Sequence, residues 1–136
     1  MTIDTLGGVV GQAAHFAGDY LFRDAELPNN TTIHSGEHTL NNTLGKLLLV
    51  GTIDKNLLLT GTNALTVLLQ YKEGDDWNTL STLLSVSGES TILAGQIFAV
   101  IPVPSNNKRI HRLQITTNFD ASAVKLTAAI ETLPLS

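Results

Sequence analysis

The sequence predicts an all-β protein, an antiparallel β-sandwich or barrel of about eight strands. Thr, Leu, Val and Ile dominate the chain, and Gly and Asn interrupt it at short intervals. No apolar pattern with the helical period continues for three turns, which argues against long helices. Turn residues recur about every 8–15 residues, a spacing typical of sandwiches and barrels.

The strands are predicted as apolar or alternating segments between these turns. In chain order they cover residues 20–23, 31–40 with a break at Gly36, 46–53, 57–60, 65–72, 77–86, 96–102, 109–117 and 124–132. The clearest alternation is in the segment 65–72, and the turn Glu73-Gly74-Asp75-Asp76 joins it to the next strand. The predicted core comprises Leu48, Val50, Leu65, Val67, Leu69, Leu83, Phe98, Val100, Leu113, Ile115 and Leu126.

The length of the chain suits one domain with its own core. It has 136 residues, of which 43% are hydrophobic and 15% are charged. We expect a Gly- and Ala-rich N-terminal arm over residues 1–18, followed by a single domain over residues 19–136. The unbroken apolar runs are far shorter than the about 20 residues of a membrane-spanning helix.

Charge and cysteine content exclude several classes of function. Acidic residues exceed basic ones by 12 to 8, for a net charge of −4, which matches neither nucleic acid nor an anionic membrane. The chain has no Cys, so disulfides, cysteine zinc sites, iron–sulfur clusters and thiol catalysis are excluded. We expect no cofactor.

The segment His34-Ser35-Gly36-Glu37-His38 has the H-x-x-E-H spacing of one class of zinc peptidases. That chemistry requires both imidazoles on one face of a helix. Gly36 in the middle and the β-branched residues before it favour a strand or hairpin, so we predict no catalytic metal site. In a continuous strand His34 and His38 would share a face, which would suffice for adventitious binding to a metal resin.

Three further segments have residues that could form a binding site. The basic cluster Lys108–Arg112 lacks the Gly-rich turn and interleaved aromatics of a phosphate or nucleic-acid site, so we expect ion pairs with neighbouring strands or a partner. The acidic turn at residues 73–76 misses the EF-hand spacing, and Gly7–Gly11 lacks the Lys-Ser or Lys-Thr of a phosphate loop. No Ser/His/Asp set can be assembled, so we predict no enzymatic activity.

Trp77 opens a strand directly after the acidic turn. It is interpreted as a core or hairpin-edge residue, or alternatively as the stacking platform of a carbohydrate-binding module, since many such modules are β-sandwiches. Only Tyr20 and Tyr71 could assist it, and Tyr71 lies on an apolar face.

A series of short motifs carries a resemblance that covers about residues 20–132. They are Leu68-Leu69-Gln70-Tyr71, Asp75-Asp76-Trp77-Asn78-Thr79-Leu80, Leu93-Ala94-Gly95, Val100-Ile101-Pro102, Lys108-Arg109-Ile110-His111-Arg112-Leu113 and Leu126-Thr127-Ala128-Ala129-Ile130. In this order they resemble the capsid cement (head-decoration) proteins of tailed bacteriophages, in particular the Bordetella phage cement protein family. A phage tail or receptor-binding component is the alternative to that function.

The resemblance implies a jelly roll without catalytic activity, attached to the outer surface of a phage head after synthesis in the bacterial cytoplasm. Its partners would be the major capsid protein and itself, as a homodimer or a trimer. A surface rich in Thr, Asn and Ser suits such contacts because it loses water at lower cost than a Lys/Glu surface. The candidate interface residues are Val9, Val10, Phe16, Tyr20, Arg109 and Arg112.

Overall fold

A computed structural model describes residues 19–39, 46–103 and 110–133, which form eleven β-strands and their connections. The strands are β1 (Asp19–Glu26), β2 (Thr32–His34), β3 (His38–Thr39), β4 (Lys46–Ile53), β5 (Leu57–Leu59), β6 (Ala64–Glu73), β7 (Asp76–Ser87), β8 (Ser90–Ile92), β9 (Gly95–Val103), β10 (Ile110–Thr117) and β11 (Lys125–Leu133). Within these ranges there is no helix, and hence none long and apolar enough to cross a membrane.

The strands form two main sheets and a short ribbon, with antiparallel pairing throughout. One sheet has the order β1-β11-β4-β9, and the other has the order β2-β10-β6-β7, with β3 beside β2 on the same edge of β10. The ribbon consists of β5 and β8. The predicted all-β, antiparallel sandwich is confirmed, and the main sheets hold eight strands when β2 and β3 count as one interrupted strand.

Strand pairs are nested around one turn. β6 pairs with β7, β5 with β8, β4 with β9, β2 and β3 with β10, and β1 with β11. Each pair lies farther from the β6–β7 turn along the chain than the one before it. The chain is therefore one long antiparallel ribbon, folded over on itself so that its successive main strand pairs lie alternately in the two sheets.

The turn at the centre of this ribbon has a simple local cause. Glu73 pairs with Asp76, which leaves Gly74 and Asp75 as a two-residue loop. Gly74 has a φ of 65°, a conformation that glycine adopts without a Cβ clash. Glycine at the first of the two positions is what a type II′ hairpin turn requires, and this turn matches the natural twist of the strands.

The core lies between the two main sheets and is closed at one side by the β5–β8 ribbon. Its fully buried side chains include Leu49, Leu65, Leu69, Leu113 and Leu126. Each buried leucine contributes about 1.5–3 kcal/mol relative to an exposed one. Within the predicted core, Leu65, Val67, Leu69, Leu113, Ile115 and Leu126 are confirmed as buried, and Leu83 is partly buried against them.

One predicted core position is wrong. In β4 the core residue is Leu49, which is 0% exposed, whereas Val50 is half-buried on the opposite face. The run of apolar residues in β4 has no alternation, so its sequence does not indicate which set faces inward. The other predicted core residues, Leu48, Phe98 and Val100, have side chains outside those that the structure describes.

Two further differences concern strand boundaries. β1 continues to Glu26, although a link was expected from Asp24 onwards; Asp24 sits at a bulge with a φ of 48°, and its amide donates to Thr127 Oγ1 at 3.1 Å. β8 follows the turn at Gly88 and covers Ser90–Ile92, a segment for which the sequence predicted no strand. The predicted strand 46–53 matches β4 at both ends.

The break between β2 and β3 confirms the predicted interruption of the segment 31–40 at Gly36. Ser35 bridges the gap with both of its polar groups: its amide donates to Leu113 O at 2.9 Å, and its hydroxyl oxygen accepts from Leu113 N at 2.8 Å. The hydroxyl also donates to Gly36 O at 2.8 Å. A buried serine side chain thus replaces a backbone acceptor that the interrupted strand no longer supplies.

We expect Ser35→Ala to lower the free energy of unfolding by about 1–3 kcal/mol, because Leu113 N would lose its buried acceptor. Urea unfolding with an unchanged m-value would measure the loss. Ser85→Ala is the matched control, since Ser85 is exposed on β7 and its substitution should change stability by less than about 0.5 kcal/mol. Equal losses for the two variants would contradict the bridging role.

The loop from β10 to β11 is held by two side chains at its β10 end. Thr117 Oγ1 donates to Pro28 O and Phe119 O, both at 2.9 Å. Asn118 donates through Nδ2 to Thr62 O at 2.9 Å and accepts Ala64 N through Oδ1 at 2.7 Å. The loop is thereby connected both to the β1–β2 link and to the start of β6.

Within the same loop Asp120 forms a local turn with Ser122. Its Oδ1 accepts from the Ser122 amide at 2.9 Å and from the Ser122 hydroxyl at 2.6 Å. The side-chain bond and then the backbone bond lower the pKa of Asp120, because both favour the ionised carboxylate.

Replacing Asp120 by Asn should therefore flatten the acid dependence of stability. A carboxylate with a lowered pKa contributes fully to the free energy of unfolding above the ordinary Asp pKa of about 3.9. This contribution disappears as the pH falls through the folded-state pKa. Urea midpoints measured from about pH 7 down to about pH 2 should fall more for the natural protein than for Asp120→Asn. Ser122→Ala should flatten the curve in the same way, and parallel curves for all three proteins would contradict the assignment.

Candidate functional site

The outer face of the five-stranded sheet carries a row and a cluster of polar side chains. Along β6 and β10, the residues Leu65, Val67, Leu113 and Ile115 face the core, so the residues between them face outward. Cross-strand pairing then places these outward residues in rows that run from β2 to β7.

One of these rows consists of hydroxyl residues alone. Thr32 pairs with Thr116, Thr116 with Thr66, and Thr66 with Ser85, so one row crosses four strands. The hydroxyls of Thr32 and Thr116 lie 2.9 Å apart in a hydrogen bond. We call this set the hydroxyl row. It presents donors and acceptors without charge, which suits contact with another protein's polar surface.

A second feature of the face is a cluster around Arg112, one of the predicted interface residues. Its Nε donates to Gln70 Oε1 at 2.9 Å, and its guanidinium lies 4.0 Å from the centre of the Trp77 ring. Lys72 Nζ lies 6.0 Å from the same ring centre. We call Arg112, Gln70, Trp77 and Lys72 the Arg112 cluster; stacking of this kind is worth about 0.5–1 kcal/mol at an exposed site.

Two effects shift the pKa of Arg112 in opposite directions. Desolvation by its neighbours lowers the pKa of Arg112, and the nearby carboxylate of Glu37 partly offsets this by favouring the charged form. The side chain nevertheless stays positively charged at ordinary pH values, because a guanidinium group is a very weak acid. The cluster is a fixed positive charge at the hairpin end of the face.

The same cluster bears on the carbohydrate alternative. Trp77 is half-buried at the start of β7, beside Lys72 on β6, and the Arg112 guanidinium covers its ring. A sugar that stacked on this covered face would have to displace the guanidinium. Tyr71, which could assist Trp77 in binding a sugar, instead lies next to the buried His111, with the ring centres 6.5 Å apart.

The structure separates the two histidines of the H-x-x-E-H segment. His34 is exposed, and its Nε2 lies 3.0 Å from Gln114 Oε1 on the outer face. His38 pairs with the fully buried His111, so it belongs to the opposite face. His34 and His38 therefore do not share a face as they would in a continuous strand, because the β2–β3 break inserts one residue relative to β10 and reverses the alternation.

The remaining predicted interface residues are distributed differently. Tyr20 lies near the start of β1, half-buried opposite Ala129, with the Arg23 guanidinium 4.8 Å from its ring centre. Tyr20 and Arg112 therefore belong to different sheets and do not form one patch. Val9, Val10, Phe16 and Arg109 lie outside the described residues, as does the rest of the arm 1–18.

Sequence reasoning missed most of this face. The alternation of the segment 65–72 puts Gln70 on the face opposite Leu69 and Tyr71, but its contact with Arg112 depends on the register between β6 and β10. The hydroxyl row likewise depends on three strand registers. Alternation could have identified each outward residue but not its cross-strand neighbour. Among the described residues no group of three or more His, Asp or Glu side chains is placed to hold a metal ion.

In comparisons with known proteins, no family model matches the chain and no curated protein matches its sequence.

The Arg112 cluster can be tested through fluorescence, because Trp77 is the chain's single tryptophan. We expect Arg112→Met to shift Trp77 emission and to increase its quenching by acrylamide, since the guanidinium no longer covers the ring. Lys72→Met is the matched control and should have a smaller effect, because its ammonium group lies farther away. Equal changes for both variants would show that Arg112 does not cover the ring.

Proposed function

We propose that this protein is a non-enzymatic capsid cement protein that binds the outside of a phage head and bridges neighbouring major capsid protein subunits. The observation that carries the proposal is the position of the resembling motifs in the fold. Leu68–Tyr71 lies on β6, Trp77–Leu80 on β7, Arg112 and Leu113 on β10, and Leu126–Ile130 on β11. Most of the described motif residues thus lie on strands of the sandwich, whereas Leu93 and Ala94 lie in the connection between β8 and β9 and Asp75 lies in the β6–β7 turn.

The proposed fold is the jelly roll that the resemblance implies. Its support is the nested pairing around the β6–β7 turn. If the eight main strands are numbered in chain order, one sheet has the order 1-8-3-6 and the other has the order 2-7-4-5. In this arrangement the chain changes sheets at every main connection except the central hairpin, as a ribbon rolled around a barrel does.

The mechanism of a cement protein is mechanical, and the sandwich suits it. Hydrogen-bonded sheets packed on one core resist shear, and the long-range pair β1–β11 ties the two ends of the described chain together. Each contact with the shell can be weak, because many copies bind a repeating lattice. Cementing therefore requires a rigid body with an adhesive surface and no moving part.

For the capsid-facing surface we propose the outer face with the hydroxyl row. The hydroxyl groups of this row are neutral, so their burial does not require the removal of water from charges. The row crosses the sheet from Thr32 to Ser85 and offers hydroxyl donors and acceptors to a facing protein. Arg112 and Lys72 of the Arg112 cluster add two positive charges that carboxylates of the capsid protein could meet.

The proposal predicts that the purified protein binds expanded heads that lack it and raises their resistance to heat. Sedimentation of heads with bound protein, followed by measurement of the temperature of DNA release, would check both effects. No binding to heads would contradict the proposal. In that case a glycan array probed with the natural protein and Trp77→Ala would test the carbohydrate alternative.

The surface assignment predicts that Thr116→Lys reduces head binding by about tenfold or more, because it places a charge in the middle of the hydroxyl row. The matched control is Ala123→Lys, which adds the same charge at an exposed loop position outside the sheets. Circular dichroism would show that both variants are folded. Equal head binding by the two variants would exclude the outer face as the attachment surface.

A further inference from the structure

The middle of the outer face of the four-stranded sheet is buried. β11 and β4 are the two central strands of this sheet, and their outward residues alternate with those that face the core. Among these outward residues Thr127 pairs with Thr52, and Ala129 pairs with Val50. Thr52 is 9% exposed, Thr127 is 6% exposed and Ala129 is 0% exposed. Ala129 is therefore a fully buried apolar residue that does not belong to the core between the sheets.

The outer face of the five-stranded sheet provides a direct comparison. Its two central strands carry a similar outward pair, Thr66 on β6 and Thr116 on β10, and both side chains are half-buried. Gln70 is buried on this face, but a described side chain, that of Arg112, lies against it. Residues of the same type at equivalent positions thus differ in burial. The outer face of the four-stranded sheet therefore has a cover that the hydroxyl row does not have.

The described residues do not supply this cover. The strands form two main sheets and the β5–β8 ribbon, and the buried leucines of the ribbon belong to the core. From β1, Tyr20 borders Ala129 and the Asp24 amide donates to Thr127 Oγ1, but both of these contacts are with β11. Thr52 lies two strands away from β1, at about 10 Å. The cover must therefore come from a part of the chain outside the described ranges.

Of the segments outside the described ranges, the N-terminal arm is the one with sufficient length. Residues 40–45 and 104–109 each connect one main sheet to the other, so they are needed to cross the about 10 Å between the sheets. Thr52 lies about 20 Å along the sheet from the start of β4, which is too far for residues 134–136. The arm covers residues 1–18 and joins β1, the edge strand of this same sheet, at Asp19.

The arm also matches the face chemically. Residues 5–18 contain no Lys, Arg, Asp or Glu. They combine apolar side chains, such as Val9, Val10 and Phe16, with glycines and alanines, whose small size lets a backbone approach a sheet closely. The middle of the face is likewise uncharged, with Ala129 and Thr52 at its centre. Contact between the two therefore buries apolar surface without removing water from charges.

We infer that the N-terminal arm folds back over the outer face of its own four-stranded sheet and covers Thr52, Thr127 and Ala129. The burial of these residues is present within a single chain, which identifies the occupant as the arm of the same copy.

This contact is intramolecular, whereas Val9, Val10 and Phe16 were predicted to form an interface with a partner. With one outer face closed by the arm, the outer face with the hydroxyl row is the broad surface of the described sheets that stays open to other proteins. The inference does not depend on the proposed capsid role. Tests on the isolated protein decide it without phage heads, and its failure would leave the head-binding test unaffected.

The chain has no Cys, so the accessibility of one introduced thiol can be measured without background. Thr52→Cys and Thr66→Cys are a matched pair, because each replaces an outward threonine on a central strand. In the folded full chain a maleimide should react with Thr66→Cys at least about tenfold faster than with Thr52→Cys. Equal rates would overturn the inference. Protection of Thr52→Cys that rises with protein concentration between about 1 and 100 µM would also overturn it, since the cover would then come from a second copy.

A second step assigns the cover to the arm. Adding Val10→Asp and Phe16→Asp to the Thr52→Cys protein should raise its labelling rate at least about fivefold, because the charges would release the arm from a neutral face. The same two substitutions should leave the rate of Thr66→Cys within about twofold, and circular dichroism would show that the variants are folded. An unchanged rate for Thr52→Cys would overturn the inference.

The natural protein gives a reading that needs no variant to fold. In its NMR spectra the Ala129 methyl group should show nuclear Overhauser effects to protons of residues 5–18. If this methyl group showed such effects only to its neighbours in the sheet, Tyr20 and Val50, those side chains would be the cover and the inference would be overturned.

Discussion

Nested antiparallel pairing is the constraint on which the rest of this structure depends. Once Gly74 and Asp75 form the two-residue turn, β6 and β7 are in register, and each later pair extends the same ribbon outward. The ends of the ribbon meet in the pair β1–β11, where the Asp24 amide reaches Thr127, 103 residues away along the chain. Both sheets, the core between them and the rows on the outer face follow from these registers.

A ribbon folded in this way has places where the backbone ladder fails, and side chains repair them. Ser35 supplies an acceptor at the break between β2 and β3, and Asn118 connects the end of β10 to the start of β6. Asp54 Oδ1 accepts Lys125 N at 2.8 Å where β4 and β11 part. Short polar residues at these points keep backbone groups hydrogen-bonded. Some Ser, Thr, Asn and Asp residues of the chain therefore stabilise the fold in addition to those that only form its surface.

The nested ribbon also explains why charge is distributed unevenly. β7 and β9, which follow the central hairpin in the chain, are the edge strands on one side of the sandwich. β1 and β2 are the edge strands on the opposite side. A stretch of sequence with few charges therefore becomes a continuous surface. Charged residues are scarcest in this part of the chain. A neutral surface with exposed leucines is suited to contact with another protein.

The sequence by itself determined the all-β class, the bounds of β4, the clear alternation of β6 and the interruption at Gly36, because these depend on local propensity, turn chemistry and periodicity. It could not determine the face of Val50, since an unbroken apolar run has no alternation to read. Only the tertiary structure decided that His34 and His38 face apart, that Arg112 meets Gln70 and Trp77, and that four hydroxyl residues share a row. Each of these depends on registers between strands distant in sequence, where a shift of one residue moves every side chain to the other face.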